Sequence, residues 1–239
     1  MTHLLFRDDP YMREARGVVK AHTEEGGVVL DASLFYATGG GQPGDSGWIE
    51  WDGQRLNIAT AVKVEGDLIA LVPAEPQALP PLGAQIVQSL DWDRRHNHMR
   101  VHTALHLLSV VVPFGVTGGQ ISANYGRLDF DMPEAPQDKE ALADALNEYV
   151  ALDLRVSEGW ITAAELEAAP QLVKTMAVKP PEGAGDIRLV RIGEEDNWID
   201  LQPCGGTHVA RTGEIGALRL GKIEKKGRQN RRVYVHLDS

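Results

Sequence analysis

The chain has one cysteine, Cys204, among its 239 residues, so no disulfide can form within it. A lone thiol of this kind is either a small buried hydrophobe or a reactive or metal-binding group. Nowhere do apolar residues run for the ~18–20 positions that a membrane-spanning helix needs. The first residues carry Arg7, Asp8 and Asp9 where a secretory signal needs an apolar stretch, so a cytoplasmic protein is expected. Basic residues are in deficit: the formal charge is −10, the wrong sign for a polyanion partner unless a basic footprint is local. Internal repeats and low-complexity segments are also lacking. No nucleotide-binding glycine fingerprint argues for a dinucleotide cofactor.

What is present is an ordinary globular composition, 43% hydrophobic and 24% charged, long enough for one large domain or two smaller ones. The first ~88 residues read as short strands. Val18–Val19 and Val28–Tyr36 are separated by Glu24-Glu25-Gly26-Gly27, and Gly47–Trp51 and Leu56–Val64 by Asp52-Gly53, a strong hairpin dipeptide. Leu68–Val72 and Gln85–Leu90 continue the pattern, which suggests a small antiparallel barrel. The Pro- and Ala-rich stretch Pro73–Gly83 is either a linker or a loop within that barrel.

At Asp91 the pattern changes. No Gly or Pro occurs from there to Val112, Asp91 suits an N-cap, and Met99, Leu105, Leu108 and Val112 recur at helical spacing until Pro113. Further helices are expected over Gln137–Val150 and Ala163–Ala168. Strands are expected at Leu152–Val156, Ile187–Ile192, Trp198–Leu201, Ile215–Ile223 and Arg232–Leu237. The expected fold class is α+β: a barrel domain over 1–88, then a domain over 89–239 with helices packed on an antiparallel sheet.

Two half-sites carry chemistry. His102 and His106, four apart on the long helix, project from one face and can reach one ion. His98 lies one turn earlier on that face and only geometry decides which two serve; His96 is off it and is expected at the surface. The second half is Cys204-Gly-Gly-Thr-His208, where two glycines let a loop turn both donors inward. One thiolate and three imidazoles suit one tetrahedral zinc, and a single thiol cannot hold an iron–sulfur cluster. Four protein ligands make a closed, structural-type site unless one is labile.

These segments resemble a known family. Val101-His-Thr-Ala-Leu-His-Leu-Leu108 and Cys204-Gly-Gly-Thr-His-Val209 resemble the paired metal motifs of alanyl- and threonyl-tRNA synthetase editing domains. Thr212-Gly-Glu-Ile-Gly216 and the glycine-rich Leu34-Phe-Tyr-Ala-Thr-Gly-Gly-Gly-Gln-Pro-Gly-Asp45 are similar to the alanyl branch. No class II aminoacylation domain fits ahead of residue 34, so the whole chain is similar to the free-standing AlaX-type editing proteins. The resemblance implies one zinc per chain on His102, His106, Cys204 and His208. It also implies hydrolysis of the ester on mischarged seryl-tRNA(Ala), with the glycyl form as a second substrate. Ser33 stands where the family usually has a threonine that reads the serine hydroxyl. A site that hydrogen-bonds such a hydroxyl disfavours analogues lacking it by ~10⁴–10⁵. Gly40, Gly41 and Gln42 are further candidate substrate contacts, and Asp45 offers either a carboxylate or a turn cap.

A tRNA partner gives a role to the basic run Arg219, Lys222, Lys225, Lys226, Arg228, Arg231 and Arg232, which alone reads as a solvated hairpin. Lys225, Lys226 and Arg228, with Arg94, Arg95 and Arg100 near the helix start, are the expected tRNA contacts. A monomer is expected. The competing readings are a non-catalytic, zinc-stabilised RNA- or protein-binding module and a metallohydrolase acting on a small ester or amide.

Overall fold

Hairpin chemistry and β-branched alternation in the first third of the chain are realised as a closed barrel. This computed structural model describes residues 1–136, 138–175 and 186–238. They form two compact units, Met1–Asn97 and His98–Ser239. The first contains β1 (His3–Leu4), the single turn α1 (Leu5–Asp8), β2 (Glu14–His22), β3 (Val28–Leu30), β4 (Ala32–Ser33), β5 (Gly47–Trp51), β6 (Gln54–Val64), β7 (Leu68–Pro73) and β8 (Gln85–Leu90). The barrel closes in the order β2-β3-β7-β6-β5-β8, so none of these strands leaves an open edge. Leu30, Leu34, Phe35, Ile49, Leu56, Leu71 and Ile86 fill it. Asp52 and Gly53 both have positive φ, 44° and 75°, as a two-residue hairpin turn requires. Of the stretch Pro73–Gly83, Pro73 ends β7 and the rest is a loop between two barrel strands, because β8 returns to pair with β2 and β5.

One expected strand, Val28–Tyr36, is interrupted. The ladder ends at Ser33, where side chains take over the backbone: Leu34 N–H donates to Gln88 Oε1 (2.9 Å), and Arg95 Nη2 donates to Leu34 O (2.8 Å). Strand alternation therefore stops, and Ser33, Leu34 and Phe35 are all buried.

Helix α2 (Trp92–Val111) begins in the last residues of the first unit and continues into the second. Asp91 Oδ1 accepts the Arg94 N–H at 3.2 Å, the expected N-cap. Every residue from Val101 to Ser109 is buried, so this stretch of the helix is enclosed on all sides rather than amphipathic. There follow β9 (Val116–Ile121), β10 (Tyr125–Asp131), α3 (Lys139–Ala151), β11 (Val156–Ile161), α4 (Ala163–Ala168), β12 (Ile187–Gly193), β13 (Trp198–Pro203), β14 (Leu218–Lys225) and β15 (Asn230–Leu237). They build one sheet in the order β14-β15-β10-β9 and another in the order β11-β12-β13, all antiparallel. An added Cβ on Gly126 of β10 would lie 2.7 Å from Val101 Cγ1, so glycine there lets α2 sit close on its sheet.

Strands β9 and β10 were not expected; Gly118 and Gly119 break the apolar alternation that would reveal the first. Leu152–Val156 is a turn rather than a strand, with Asp153 at φ 48°, and pairing starts only at Val156. A 3₁₀ turn at Thr212–Ile215 delays the start of β14 to Leu218. Gln137, the expected helix start, lies outside the described residues, and Asp138 caps α3 by accepting from Ala141 N–H at 2.9 Å. Among the described residues no helix is long and apolar enough to cross a membrane.

Candidate metal centre

Helix α2 supplies His102 and His106 one turn apart, and the loop after β13 supplies Cys204 and His208. One donor atom from each lies within 4.8 Å of every other. His102 Nε2 is 3.4 Å from Cys204 Sγ, and His208 Nε2 is 3.3 Å from it. Bonds of ~2.3 Å to sulfur and ~2.0–2.1 Å to nitrogen put S and N about 3.5 Å apart around a tetrahedral ion. The donors are therefore spaced for one such ion. Of the three helix histidines whose spacing left the choice open, His102 and His106 are in the group and His98 is not. His96, expected at the surface, is half-buried and stacks on Trp92 at 5.4 Å.

The tautomers of two ligands follow from their partners. Asp200, fully buried on β13, can only accept, so His106 Nδ1 donates to its Oδ2 at 2.8 Å and leaves Nε2 for the cluster. Thr103 gives its hydroxyl proton to Met99 O (3.0 Å), so its Oγ1 accepts from His208 Nδ1 (3.1 Å) and from Val209 N–H (3.3 Å). His208 Nε2 is thereby left facing the sulfur. Lys174 Nζ, 2.5 Å from Asp200 Oδ1, and Gln202 Nε2, 2.8 Å from Oδ2, complete the carboxylate's partners. Such outer groups fix ring orientation and raise ligand basicity.

The electrostatics favour a thiolate. Burial alone would push the Cys204 pKa up, but His102 and His208 beside it hold it well below the ordinary thiol value. Burial likewise depresses His208, with His102 adding to the effect. For His106, burial opposes charge, but the hydrogen bonds and negative charges of Asp200 and Cys204 together outweigh it and raise the pKa to about 9. Asp200, despite its burial, falls to about 2 through His106 and Lys174.

The other sequence candidates fall in different places. Ser33 is buried, its hydroxyl on the backbone of Phe35 at 3.2 Å to both O and N. Gly40 and Gly41 have φ of 58° and 82° and form a tight turn closed by Gly39 and Gln42. Gln42 itself is buried. Arg95 requires a correction: expected as a tRNA contact, it has 0% exposure, and its guanidinium binds the Asp45 carboxylate, Leu34 O and Pro10 O. Asp45 also accepts the Tyr36 N–H at 2.6 Å, so the pair braces the glycine-rich segment. Arg94 donates to Gly44 O at 2.8 Å and Arg100 to Ile215 O at 2.9 Å. Lys225, Lys226 and Arg228 are exposed at the β14–β15 turn, where Glu224 pairs with Lys222 and Lys226.

Sequence reasoning did not single out Asp200, Gln202, Thr103, Lys174 or Arg188 as part of this centre. For Asp200 and Gln202 a signal existed: they precede Cys204 at four and two positions on a strand, and so share one face.

The family described as threonyl and alanyl tRNA synthetase second additional domain matches residues 187–234, and that described as tRNA synthetases class II (A) matches residues 11–94. The alanyl-tRNA editing protein AlaX-M of Methanosarcina acetivorans is 33% identical over 99% of each chain. That of Saccharolobus solfataricus is 32% identical over 98% of each. The alanine–tRNA ligase of Pyrobaculum arsenaticum is 34% identical over 94% of this chain but only 25% of its own length. With a third of positions identical from end to end and the histidine–cysteine centre assembled, the chain belongs to the AlaX-M family of alanyl-tRNA editing proteins.

Proposed function

We propose that this protein is a free-standing editing hydrolase that releases a wrong amino acid, serine foremost and glycine second, from tRNA(Ala). The observation that carries the reading is the convergence of His102, His106, Cys204 and His208 in a chain related throughout to proteins named for this editing. The reaction adds water across the acyl ester: the carbonyl carbon gains hydroxyl, the ester C–O bond breaks, and the tRNA ribose oxygen takes the proton. The four donors suit one zinc ion, which when bound supplies positive charge for polarising and orienting reacting oxygens.

The chain's own residues have separable tasks. Asp200 and Thr103 hold His106 and His208 as Nδ1–H tautomers, so their Nε2 atoms face inward. N–H groups of the Gly205–Gly206 loop are candidate donors to the carbonyl oxygen as it gains charge. In the barrel unit, Ser33 and Gln42 are the proposed serine-reading groups, with Gly40 and Gly41 forming the positive-φ turn before Gln42 as further proposed contacts. Lys225, Lys226 and Arg228 are the proposed phosphate contacts.

A deacylation assay on seryl-, glycyl- and alanyl-tRNA(Ala), with and without chelator, tests the reading. Multiple-turnover serine release that chelation removes is the expected result; no release would sink it. A closed set of four protein ligands favours the alternative of a non-catalytic, metal-stabilised binding module. That alternative predicts tRNA or protein binding without turnover.

A further inference from the structure

Arg188 of β12 is a buried charge, 6% exposed, that neither ligates nor touches the imidazoles in the contacts described above. Its Nη1 donates to Cys204 O at 2.7 Å and to Gly206 O at 2.9 Å. Its own carbonyl accepts the Cys204 N–H at 3.1 Å. On the other side of the guanidinium, Nε and Nη2 form a two-pronged pair with the Glu158 carboxylate of β11, at 2.8 and 2.5 Å. One residue thus holds both the N–H and the C=O of Cys204, and the C=O of Gly206 beyond Gly205.

The loop needs such a grip. Gly205 is exposed and a Cβ there would meet nothing within 4 Å, so packing around its Cα does not restrain the loop. Two successive glycines also leave the backbone between Cys204 and His208 with unusually wide conformational freedom. Ligands of one ion must nonetheless be held to a fraction of an ångström. A guanidinium fork can bind a carboxylate with one edge and carbonyls with the other, whereas a lysine offers a single point charge.

We infer that Arg188, held from behind by Glu158, is the positioning residue that keeps the Cys204 sulfur in liganding geometry. The inference rests on the metal-centre reading above. It differs from a purely structural β11–β12 ion pair, which would affect stability and leave the thiolate's bonding to metal unchanged.

The test compares the wild-type protein with Arg188→Lys, Arg188→Met and Glu158→Gln. Metal-free proteins are titrated with cobalt(II), whose sulfur-to-metal absorption reports the Cys204 bond, and with zinc against a competing chelator. Arg188→Met should lose about 10–100-fold in zinc affinity, the range for lost outer-shell partners. At saturating cobalt its thiolate band should be weakened, and Arg188→Lys and Glu158→Gln should shift both readouts in the same direction by less. Should Arg188→Met fail to fold, the two milder variants carry the test, since Glu158 is partly exposed and lysine keeps the charge. Wild-type affinity and an unaltered thiolate band in folded Arg188→Lys and Glu158→Gln would overturn the clamp alone. A wild-type protein that shows neither zinc binding nor the band would overturn the metal-centre reading together with the clamp.

Discussion

His106 gives its Nδ1 proton to Asp200 across 2.8 Å, and the accepting carboxylate has no exposure to solvent. Removing one partner of a buried charged network leaves the others without compensation. Asp200→Asn should therefore lower metal affinity about 10–100-fold, by weakening the tautomer that aims His106 Nε2 inward. Isothermal titration of metal-free protein with zinc measures this, and an unchanged affinity would remove Asp200 from the metal's support.

Replacing His106 or Cys204 by alanine takes one of four donors from the centre. Deacylation of seryl-tRNA(Ala) should be abolished in either variant and the bound metal should fall below one per chain. Full rate retained in both would separate the centre from the reaction.

Lys225 and Lys226 are exposed at the β14–β15 turn, where charge acts on a polyanion through solvent. Reversing both to glutamate should weaken tRNA binding and flatten its dependence on salt, since each lost phosphate contact reduces the salt slope by about 1. Filter-binding or anisotropy titrations at two salt concentrations decide it; unchanged affinity and slope would dismiss this face.

Asp129 titrates against Arg232, which binds it at 2.7 and 2.9 Å, and against Arg127 at 2.9 Å. Burial would raise its pKa, but the two guanidiniums outweigh burial and hold it below the ordinary carboxylate value. A depressed folded-state pKa gives stabilisation that is complete above the unfolded value of about 3.9 and disappears as pH falls through the lower folded value. Asp129→Asn should thus be less stable than wild type at pH 7, with the gap closing only in strong acid. Urea midpoints measured from pH 7 down to 2 check the sign.

Gly44 packs against the backbone of β6: a Cβ there would be 2.3 Å from Ala61 O and 2.8 Å from Ala61 N. Gly44→Ala should cost on the order of 1–3 kcal/mol in unfolding free energy, as overpacking does in a tight interior. Gly53→Ala is a useful contrast, because its Cβ would meet nothing within 4 Å and only its φ of 75° resists the change.

Legibility in the sequence tracked how local each determinant is. The Asp52-Gly53 hairpin, the Asp91 cap and the helical spacing of His102 and His106 are encoded within a few residues, and the structure has them as expected. Asp200 and Gln202 were readable in principle from their alternation on the strand that leads into Cys204. Thr103 and Arg188 were not, since their partners lie 105 and 16 residues away in ordinary-looking contexts. Arg94 and Arg95 show the same limit. Adjacent and identical in type, they differ because helical rotation turns one toward Asp45, a fact of tertiary packing. Strand β9 escaped because its glycines break the hydrophobic pattern; at Gly119 an added Cβ would lie 3.0 Å from Leu128 Cδ2.

The two halves of the proposed metal centre come from segments about a hundred positions apart along the chain, with five strands and two α-helices among the described residues between them. Neither half alone has enough donors to retain an ion, so on the proposed function capture would follow the long-range closure of this unit rather than seed it. An ion that arrives late stabilises only the finished topology, in proportion to how far its concentration exceeds its dissociation constant. Chelation would then speed the opening of the His98–Ser239 unit to proteases while the barrel, which contributes no ligand, kept its own resistance.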